Sequence, residues 1–214
     1  MVKDKKEQAR TLSSAEEKRL AGFEATAAEL ADRGYRRTDL TVGIVKANLF
    51  AVLLTVPVFV AGLWLFFSVN DIETVQFFSG NTLLVFLGGA ALLTVVHELV
   101  HGLVWSFFTP RHFKDVEFGV MMQYVTPYCA CTAPLKKGPY IAGALAPLFA
   151  VGVLPAAVAI LTGSFPLLML GLVMILAAAG DMMIVKNILT HKSGARETLY
   201  MDHPTQAGGV IFER

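Results

Sequence analysis

The sequence predicts an all-α polytopic membrane protein with about four transmembrane helices and a cytoplasmic-side β-hairpin between the second and the third. Two observations predict this class. Of the 214 residues, 55% are hydrophobic and only 16% are charged, whereas soluble proteins carry about 25% charge. Charge is also missing from four long stretches, each of which, with its continuation, reaches the roughly 20 residues that a bilayer span requires.

The composition also excludes other classes of protein. Eighteen Lys and Arg against 17 Asp and Glu leave a net charge of +1, which excludes a basic nucleic-acid-binding surface. The two cysteines, Cys129 and Cys131, are one residue apart and cannot cross-link distant parts of a secreted scaffold. The expected partner is therefore the lipid bilayer, and no nucleic-acid partner is expected.

Residues 1–43 are predicted to form a cytoplasmic amphipathic arm. This polar stretch lacks the early apolar run of a cleavable signal peptide. Ser14 and Glu17 have the spacing of a capping box, and Gly34 offers a helix stop. Between them, four apolar residues recur at helical intervals: Leu20, Phe23, Ala27 and Leu30. A solvated leader and an arm that binds the membrane surface or a partner both fit this pattern.

Four uncharged stretches define the predicted transmembrane core, residues 44–192. They are Ala47–Val69, Asn81–Val96 with its continuation to Phe108, Tyr140–Thr162 and Ser164–Gly180. All 18 Lys and Arg precede the first stretch, separate the second from the third, or follow the fourth. Because positive residues stay on the cytoplasmic side, we expect a multi-pass protein of the cell membrane. Both termini, including the tail 193–214, are predicted to be cytoplasmic.

The second span contains an HExxH motif, His97-Glu98-Leu99-Val100-His101. On a helix, histidines four residues apart share one face and can bind one Zn²⁺ through ring nitrogens. Glu98 is placed to act as the general base on a zinc-bound water. The alternative is a structural cluster in which neutral histidines form hydrogen bonds at a helix interface.

Asp181 in the fourth span is the candidate third zinc ligand. The second and fourth spans run in the same direction, and His97 and Asp181 are each 15 residues from the starts of these spans at Thr82 and Pro166. At 1.5 Å per residue both lie about 22 Å along their helices, in the cytoplasmic half of the bilayer. As an alternative, Asp181 caps a shorter helix or pairs with Lys186.

The segment between the second and third spans has strand periodicity. Four apolar residues alternate with other types, at Val116, Phe118, Val120 and Met122. Tyr128–Ala133 is the expected partner strand, and the hairpin would offer an edge to which an extended substrate peptide adds as a strand. An ordinary loop is the alternative. Cys129 and Cys131 fit small buried apolar residues or a regulatory metal or redox pair.

The tail contains one more feature of interest, Asp202-His203-Pro204. This segment either covers the mouth of the site or forms a docked or mobile end.

These motifs together resemble a known family. A membrane-embedded HExxH followed two helices later by an Asp is similar to the site-2 protease clan of intramembrane zinc metalloproteases. A closer likeness is to small bacterial putative zincin peptidases, on four elements: HELVHG, Cys-x-Cys-x-x-Pro (Cys129–Pro134), Leu-Ala-Pro (Leu145–Pro147) and Gly-Asp. The resemblance covers about Ala47 to the C-terminus.

The resemblance implies roles for individual residues. It makes His97, His101 and Asp181 the zinc ligands and Glu98 the catalytic base. Better-known clan members carry an Asn-x-x-Pro element that this chain lacks, which leaves the oxyanion-stabilising residue unidentified. Asn187 is the one candidate for it.

The resulting hypothesis is an intramembrane zinc metalloendopeptidase with one Zn²⁺ per chain, acting on a transmembrane protein or peptide. The alternative is a non-enzymatic membrane protein that binds or transports a metal through the same side chains. A transport path would need polar groups toward both faces, whereas the external halves of the second and fourth spans are almost wholly apolar. An inert scaffold would be expected to have lost Glu98.

Overall fold

The computed structural model describes residues 13–121 and 126–214. Within them the chain is mostly helical and has two small antiparallel sheets. The helices are α1 (Ser14–Asp32), α2 (Ile44–Val69), α3 (Thr82–Ser106), α4 (Lys137–Pro147), α5 (Leu154–Thr162), α6 (Phe165–Ala177) and α7 (Ala179–Thr190). The strands are β1 (Arg36–Thr41), β2 (Val116–Met121), β3 (Thr126–Cys131), β4 (Thr198–Asp202) and β5 (Gly208–Glu213).

All four apolar stretches singled out in the sequence are helical. Among the described residues, three helical segments are long and apolar enough to cross a bilayer: α2, α3 and the rod Lys137–Thr162. In that rod a π-helical turn at Leu148–Val153 joins α4 to α5. Helices α6 and α7 meet at 41° and make a fourth candidate if the bent pair counts as one span.

The fourth stretch differs from its prediction, because its helix does not end near Gly180. Ala178 interrupts the helix, and α7 then continues to Thr190. The break places Asp181 in the first turn of α7. Unpaired backbone N–H groups and the helix dipole favour a negative charge at that position.

Close backbone packing fixes α6 against the preceding helices. A Cβ atom added to Gly171 would lie 2.6 Å from the backbone nitrogen of Ala156, and one added to Gly152 would lie 2.8 Å from the Ile175 side chain. Glycine at these positions lets the helices approach, as small residues do in membrane helix packing.

Helices α2 and α3 present broad apolar surfaces to their surroundings. Trp64 on α2 and Leu84 on α3 leave 71% and 69% of their surface exposed, and many Leu and Val residues of both helices are similarly exposed. Water-soluble monomers rarely expose contiguous apolar patches of this kind. The surface is instead suited to a lipid environment.

Strand β1, which precedes α2, forms a sheet with the two strands of the C-terminal tail, and the sequence did not indicate this sheet. Its order is β1-β5-β4, with both pairings antiparallel. Helix α1 covers the sheet through a core of Phe23, Leu30, Tyr35, Met201, Val210 and Phe212. The all-α prediction is therefore corrected to a mostly helical fold with small sheets. Strand β1 has one large apolar residue, Leu40, and its partners are some 170 positions away, so neither periodicity nor local sequence indicates it.

This sheet joins the N-terminal arm to the C-terminal tail. The segments that precede α2 and follow α7 consequently lie at the same end of the helices. The tail is thus docked, which was one of the alternatives for it.

Helix α1 largely agrees with its prediction. Its capping box is formed by Ser13 and Glu16, one residue earlier than the expected Ser14 and Glu17. Gly34 follows the helix with a φ of 87°, a conformation for which glycine is favoured at helix ends.

The hairpin is confirmed as β2 and β3. Val116 pairs with Cys131 and Phe118 with Cys129. Of the strand positions proposed from the sequence, Met122 lies outside the described residues.

Candidate metal centre

Two histidines of α3 form the first part of the site. His97 and His101 lie one turn apart on the buried face of the helix, with 6% and 3% of their surface exposed. Their Nε2 atoms are 3.1 Å apart. The HExxH spacing therefore brings two ring nitrogens to a single point.

Asp181 completes the cluster from α7. Its Oδ2 atom lies 3.1 Å from His97 Nε2 and 3.5 Å from His101 Nε2. The equal depth counted from the sequence agrees with this contact. Asp181 faces the histidines, while the Lys186 ammonium lies over the ring of Phe50.

The three donor atoms fit a zinc ion. In a tetrahedral site with metal–ligand distances of about 2.0–2.1 Å, neighbouring donors are about 3.3 Å apart. The observed separations are 3.1, 3.1 and 3.5 Å. Two imidazoles and a carboxylate are donors that zinc accepts, and three protein ligands leave the fourth position open, as in catalytic sites.

A hydrogen bond fixes the orientation of His101. Its Nδ1–H donates to the backbone carbonyl of Gly143 at 2.9 Å. Because a carbonyl only accepts, Nδ1 carries the proton and Nε2 keeps its lone pair toward the cluster. His97 Nδ1 has no hydrogen-bond partner among residues 13–121 and 126–214, so His101 is the better oriented of the two.

Trp105 supports His101 from the next turn of α3. The two rings are stacked, with centroids 5.1 Å apart and planes 15° apart. Trp105 Nε1 donates to the carbonyl of Tyr140 on α4 at 3.1 Å. A Cβ atom on Gly143 would lie 2.2 Å from the Trp105 ring, so only a glycine lets α4 approach this closely.

We therefore expect Gly143→Ala to displace the Trp105 ring and disturb His101. Overpacking a buried contact costs about 1–3 kcal/mol, and zinc affinity should fall with it. Gly138→Ala in the first turn of the same helix is the matched control, because its added Cβ meets nothing within 4 Å. Thermal unfolding and zinc titration of both variants check this prediction, and equal behaviour of the two would contradict it.

Glu98 points toward β3 and is not part of the donor cluster. It follows His97 by one residue, which turns it about 100° around the helix. Its carboxylate faces the backbone N–H of Cys129 and lies close enough to interact electrostatically with His97, His101 and Asp181. The carboxylate is thus beside the ligands without being one of them.

The edge of the hairpin next to Glu98 belongs to β3. The N–H groups of Cys129 and Cys131 point away from β2, toward Glu98 and Asp202 respectively. The predicted substrate edge lies instead in β2, which pairs with the opposite edge of β3. Its described residues are Val116, Phe118 and Val120.

Asp202 is a buried carboxylate that sequence reasoning did not assign to the site. It accepts hydrogen bonds from the backbone N–H of Cys131, at 2.7 Å, and from the hydroxyl of Tyr140. The available signal was an acidic residue closing the apolar run Leu199-Tyr200-Met201. Pattern alone could not show that this run docks beside the ligands.

Burial raises the pKa of Asp202 to about 6. In the unfolded chain an Asp titrates near 3.9, so below that pH both states are protonated. Between the two values the native state holds the extra proton, and stability falls as the pH rises through about 6. The loss is at most about 3 kcal/mol. We expect wild type to lose thermal stability relative to Asp202→Asn between pH 4 and 7; parallel curves would contradict this.

The two cysteines behave as buried apolar residues. Both are free, and Cys131 is buried. Burial raises the pKa of the Cys131 thiol to about 12 and that of the Cys129 thiol still further. Protonated thiols are poor metal ligands and poor nucleophiles, which favours the apolar interpretation over a metal or redox pair.

Asn187, the candidate for oxyanion stabilisation, is six residues beyond Asp181 on α7. This separation places it about 120° around the helix from Asp181.

Comparison with known proteins adds a family match. A family model described as "Putative zincin peptidase" matches residues 90–196, half of the chain. The matched range includes His97, Glu98, His101 and Asp181 and excludes Asp202. Searches of the curated proteins and of the solved structures returned no match.

Proposed function

Because the chain belongs to the family of putative zincin peptidases, we propose that it is a zinc metalloendopeptidase that hydrolyses a peptide bond in or next to a transmembrane segment. The observation that carries the proposal is the convergence of His97 Nε2, His101 Nε2 and Asp181 Oδ2 within 3.5 Å of one another. The donor set fits a catalytic zinc ion with one open position.

His97, His101 and Asp181 would hold the metal, one ion per chain. A bound zinc ion supplies Lewis acidity, polarising the scissile carbonyl and lowering the pKa of water. The hydrogen bond from His101 to Gly143 keeps that ring in the tautomer that can bind.

Glu98 acts as the general base. Its carboxylate lies beside the ligand cluster and takes a proton from the attacking water, then passes it to the leaving amine. The Cys129 N–H faces the carboxylate and favours its position on this side of α3. A Glu that is adjacent to a ligand without binding the metal fits this role.

The substrate binds in extended form along β3. Helical segments hide their amides in internal hydrogen bonds, so a transmembrane substrate must unwind before attack. On the outer edge of β3 the N–H groups of Cys129 and Cys131 already face Glu98 and Asp202, so this edge offers its backbone carbonyl groups to an extended peptide. A peptide added there would run past the catalytic base.

The site lies within a membrane, in an arrangement like that of site-2 proteases. Exposed apolar surfaces on α2 and α3 support this location. The sheet β1-β5-β4 holds both ends of the chain on one side, which requires an even number of crossings and favours the bent pair α6 and α7 as one span. Lys and Arg concentrate at this end, which makes it cytoplasmic by the positive-inside rule.

The test is metal-dependent cleavage by the purified chain. Wild type in detergent should hold about one zinc per chain and cleave some members of a panel of single-span reporter proteins that differ in helix sequence. Chelation should abolish cleavage, and added zinc should restore it.

Two results would overturn the proposal. One is a purified chain without zinc affinity, and the other is cleavage that persists after the metal is removed. Stoichiometric zinc without cleavage of any reporter would favour the metal-binding or transport alternative.

A further inference from the structure

Asp202 connects two parts of the site that come from different segments of the chain. It ends β4 in the C-terminal tail, beyond the residues matched by the family model. Each of its carboxylate oxygens accepts one hydrogen bond, and the two donors belong to β3 and α4. These are the two elements that contact Glu98 and His101.

The first connection runs to the catalytic base. Asp202 Oδ2 accepts the N–H of Cys131 at 2.7 Å. Cys129, two residues earlier, presents its N–H from the same edge of β3 to Glu98. Fixing Cys131 therefore restrains the Cys129 amide, because the two residues are two positions apart on one strand that is paired with β2 at both.

The second connection runs to a metal ligand. Asp202 Oδ1 accepts the hydroxyl proton of Tyr140. Tyr140 is one turn before Gly143, whose carbonyl accepts from His101 Nδ1. The carbonyl of Tyr140 also accepts from Trp105, which is stacked on His101. Anchoring Tyr140 thus fixes both groups that hold the His101 ring.

The structure assigns to Asp202 the role of a positioning residue, which sets the geometry of Glu98 through β3 and of His101 through α4. This inference rests on the proposed function and adds to it a tail residue that completes the site. The sheet β1-β5-β4 then has a role in the site. Strand β4 lies beside the hairpin through its backbone pairing with Leu135, and this pairing places Asp202 next to β3 and α4.

Asn at position 202 tests this role at nearly constant size. A carboxylate offers an acceptor to both donors, whereas an amide offers one acceptor and one NH₂ group. Asp202→Asn therefore either turns its NH₂ group toward the Cys131 N–H, or donates to the Tyr140 oxygen and no longer accepts the buried hydroxyl proton. Tyr140→Phe breaks the second connection alone, by removing one hydroxyl.

The first measurement is zinc affinity, determined by competition with a chromophoric chelator. Loss of an outer-shell partner typically lowers metal affinity or activity by about 10- to 100-fold, and we expect this loss in both variants. Glu213→Gln is the matched control. Glu213 is a hydrogen-bonded carboxylate of the same sheet that pairs with His191, so its replacement should leave zinc affinity unchanged.

The second measurement needs neither metal nor substrate. Heteronuclear NMR of the labelled imidazole nitrogens in the metal-free protein should show the His101 Nδ1–H, which donates to Gly143, exchanging slowly with water in wild type and faster in Tyr140→Phe and Asp202→Asn.

The third measurement is the rate of reporter cleavage. In Asp202→Asn, kcat should fall by about 10- to 100-fold while KM stays near the wild-type value.

The outcomes separate this inference from the proposed function. If both variants keep the zinc affinity and the slow Nδ1–H exchange of His101 seen in wild type, Asp202 is not a positioning residue, even where thermal stability has dropped. If wild type binds zinc and cleaves no reporter, the proposed function fails, while zinc affinity and Nδ1–H exchange still decide the role of Asp202.

Discussion

Glu98→Gln should abolish most proteolysis while leaving the fold and the metal intact. General acid–base catalysis by one side chain contributes about 10²- to 10⁴-fold to a rate, and we expect kcat to fall by that amount. The amide oxygen of Gln can still face the Cys129 N–H as the Glu98 carboxylate does, so β3 should remain in place. Glu98 lies outside the donor cluster, so zinc content should not change.

The measurement combines zinc stoichiometry, thermal unfolding and reporter cleavage on the same preparation. Glu73→Gln, in the loop between α2 and α3, is the control and should cleave at the wild-type rate. Unchanged cleavage by Glu98→Gln would exclude the general-base role. Loss of zinc together with activity would instead make Glu98 part of the metal site.

Asp181→Ala should release the metal. It removes one of three donors, an effect larger than the about 10- to 100-fold loss caused by changes in outer-shell groups. Zinc should therefore fall well below one per chain after dialysis. The chain should still fold, because the Asp181 carboxylate contacts His97 and His101 and no backbone group of α7 depends on it for capping.

His97→Ala and His101→Ala should behave in the same way, since each removes another donor of the cluster. His191→Ala is the matched histidine control, because His191 pairs with Glu213. Atomic emission analysis of dialysed protein checks the four variants. Full zinc occupancy in Asp181→Ala would remove Asp181 from the ligand set.

Much of the site is predictable because its signals are local or depend on length alone. The spacing of His97 and His101 follows from one helical turn. Asp181 could be matched to His97 by counting residues along two helices that run in the same direction. The count succeeds because helices rise by a constant increment, and the bend at Ala178 comes only three residues before Asp181.

The supports of the ligands were not predictable. Gly143, Tyr140 and Asp202 support His101 and Glu98 through contacts between residues far apart in the sequence. His101 and Gly143 are 42 residues apart, and Cys131 and Asp202 are 71 residues apart. Glycine in a membrane helix and an acidic residue in a polar tail are common, so neither is a signal by itself. The strands that bring Asp202 into place depend on pairing β5 with β1 at the other end of the chain.

By itself, the sequence indicated the apolar helices, the hairpin and the candidate donors, since each depends on hydrophobic length, residue periodicity or motif spacing. The scarcity of charge, 16% of the chain, makes Glu98 and Asp181 stand out within apolar stretches. Only the tertiary structure decided that the donors meet within 3.5 Å, that β3 is the strand beside Glu98, and that the tail supplies a carboxylate to the site. Hydrogen bonds and backbone contacts between segments far apart in sequence fix these features, and no local pattern encodes them.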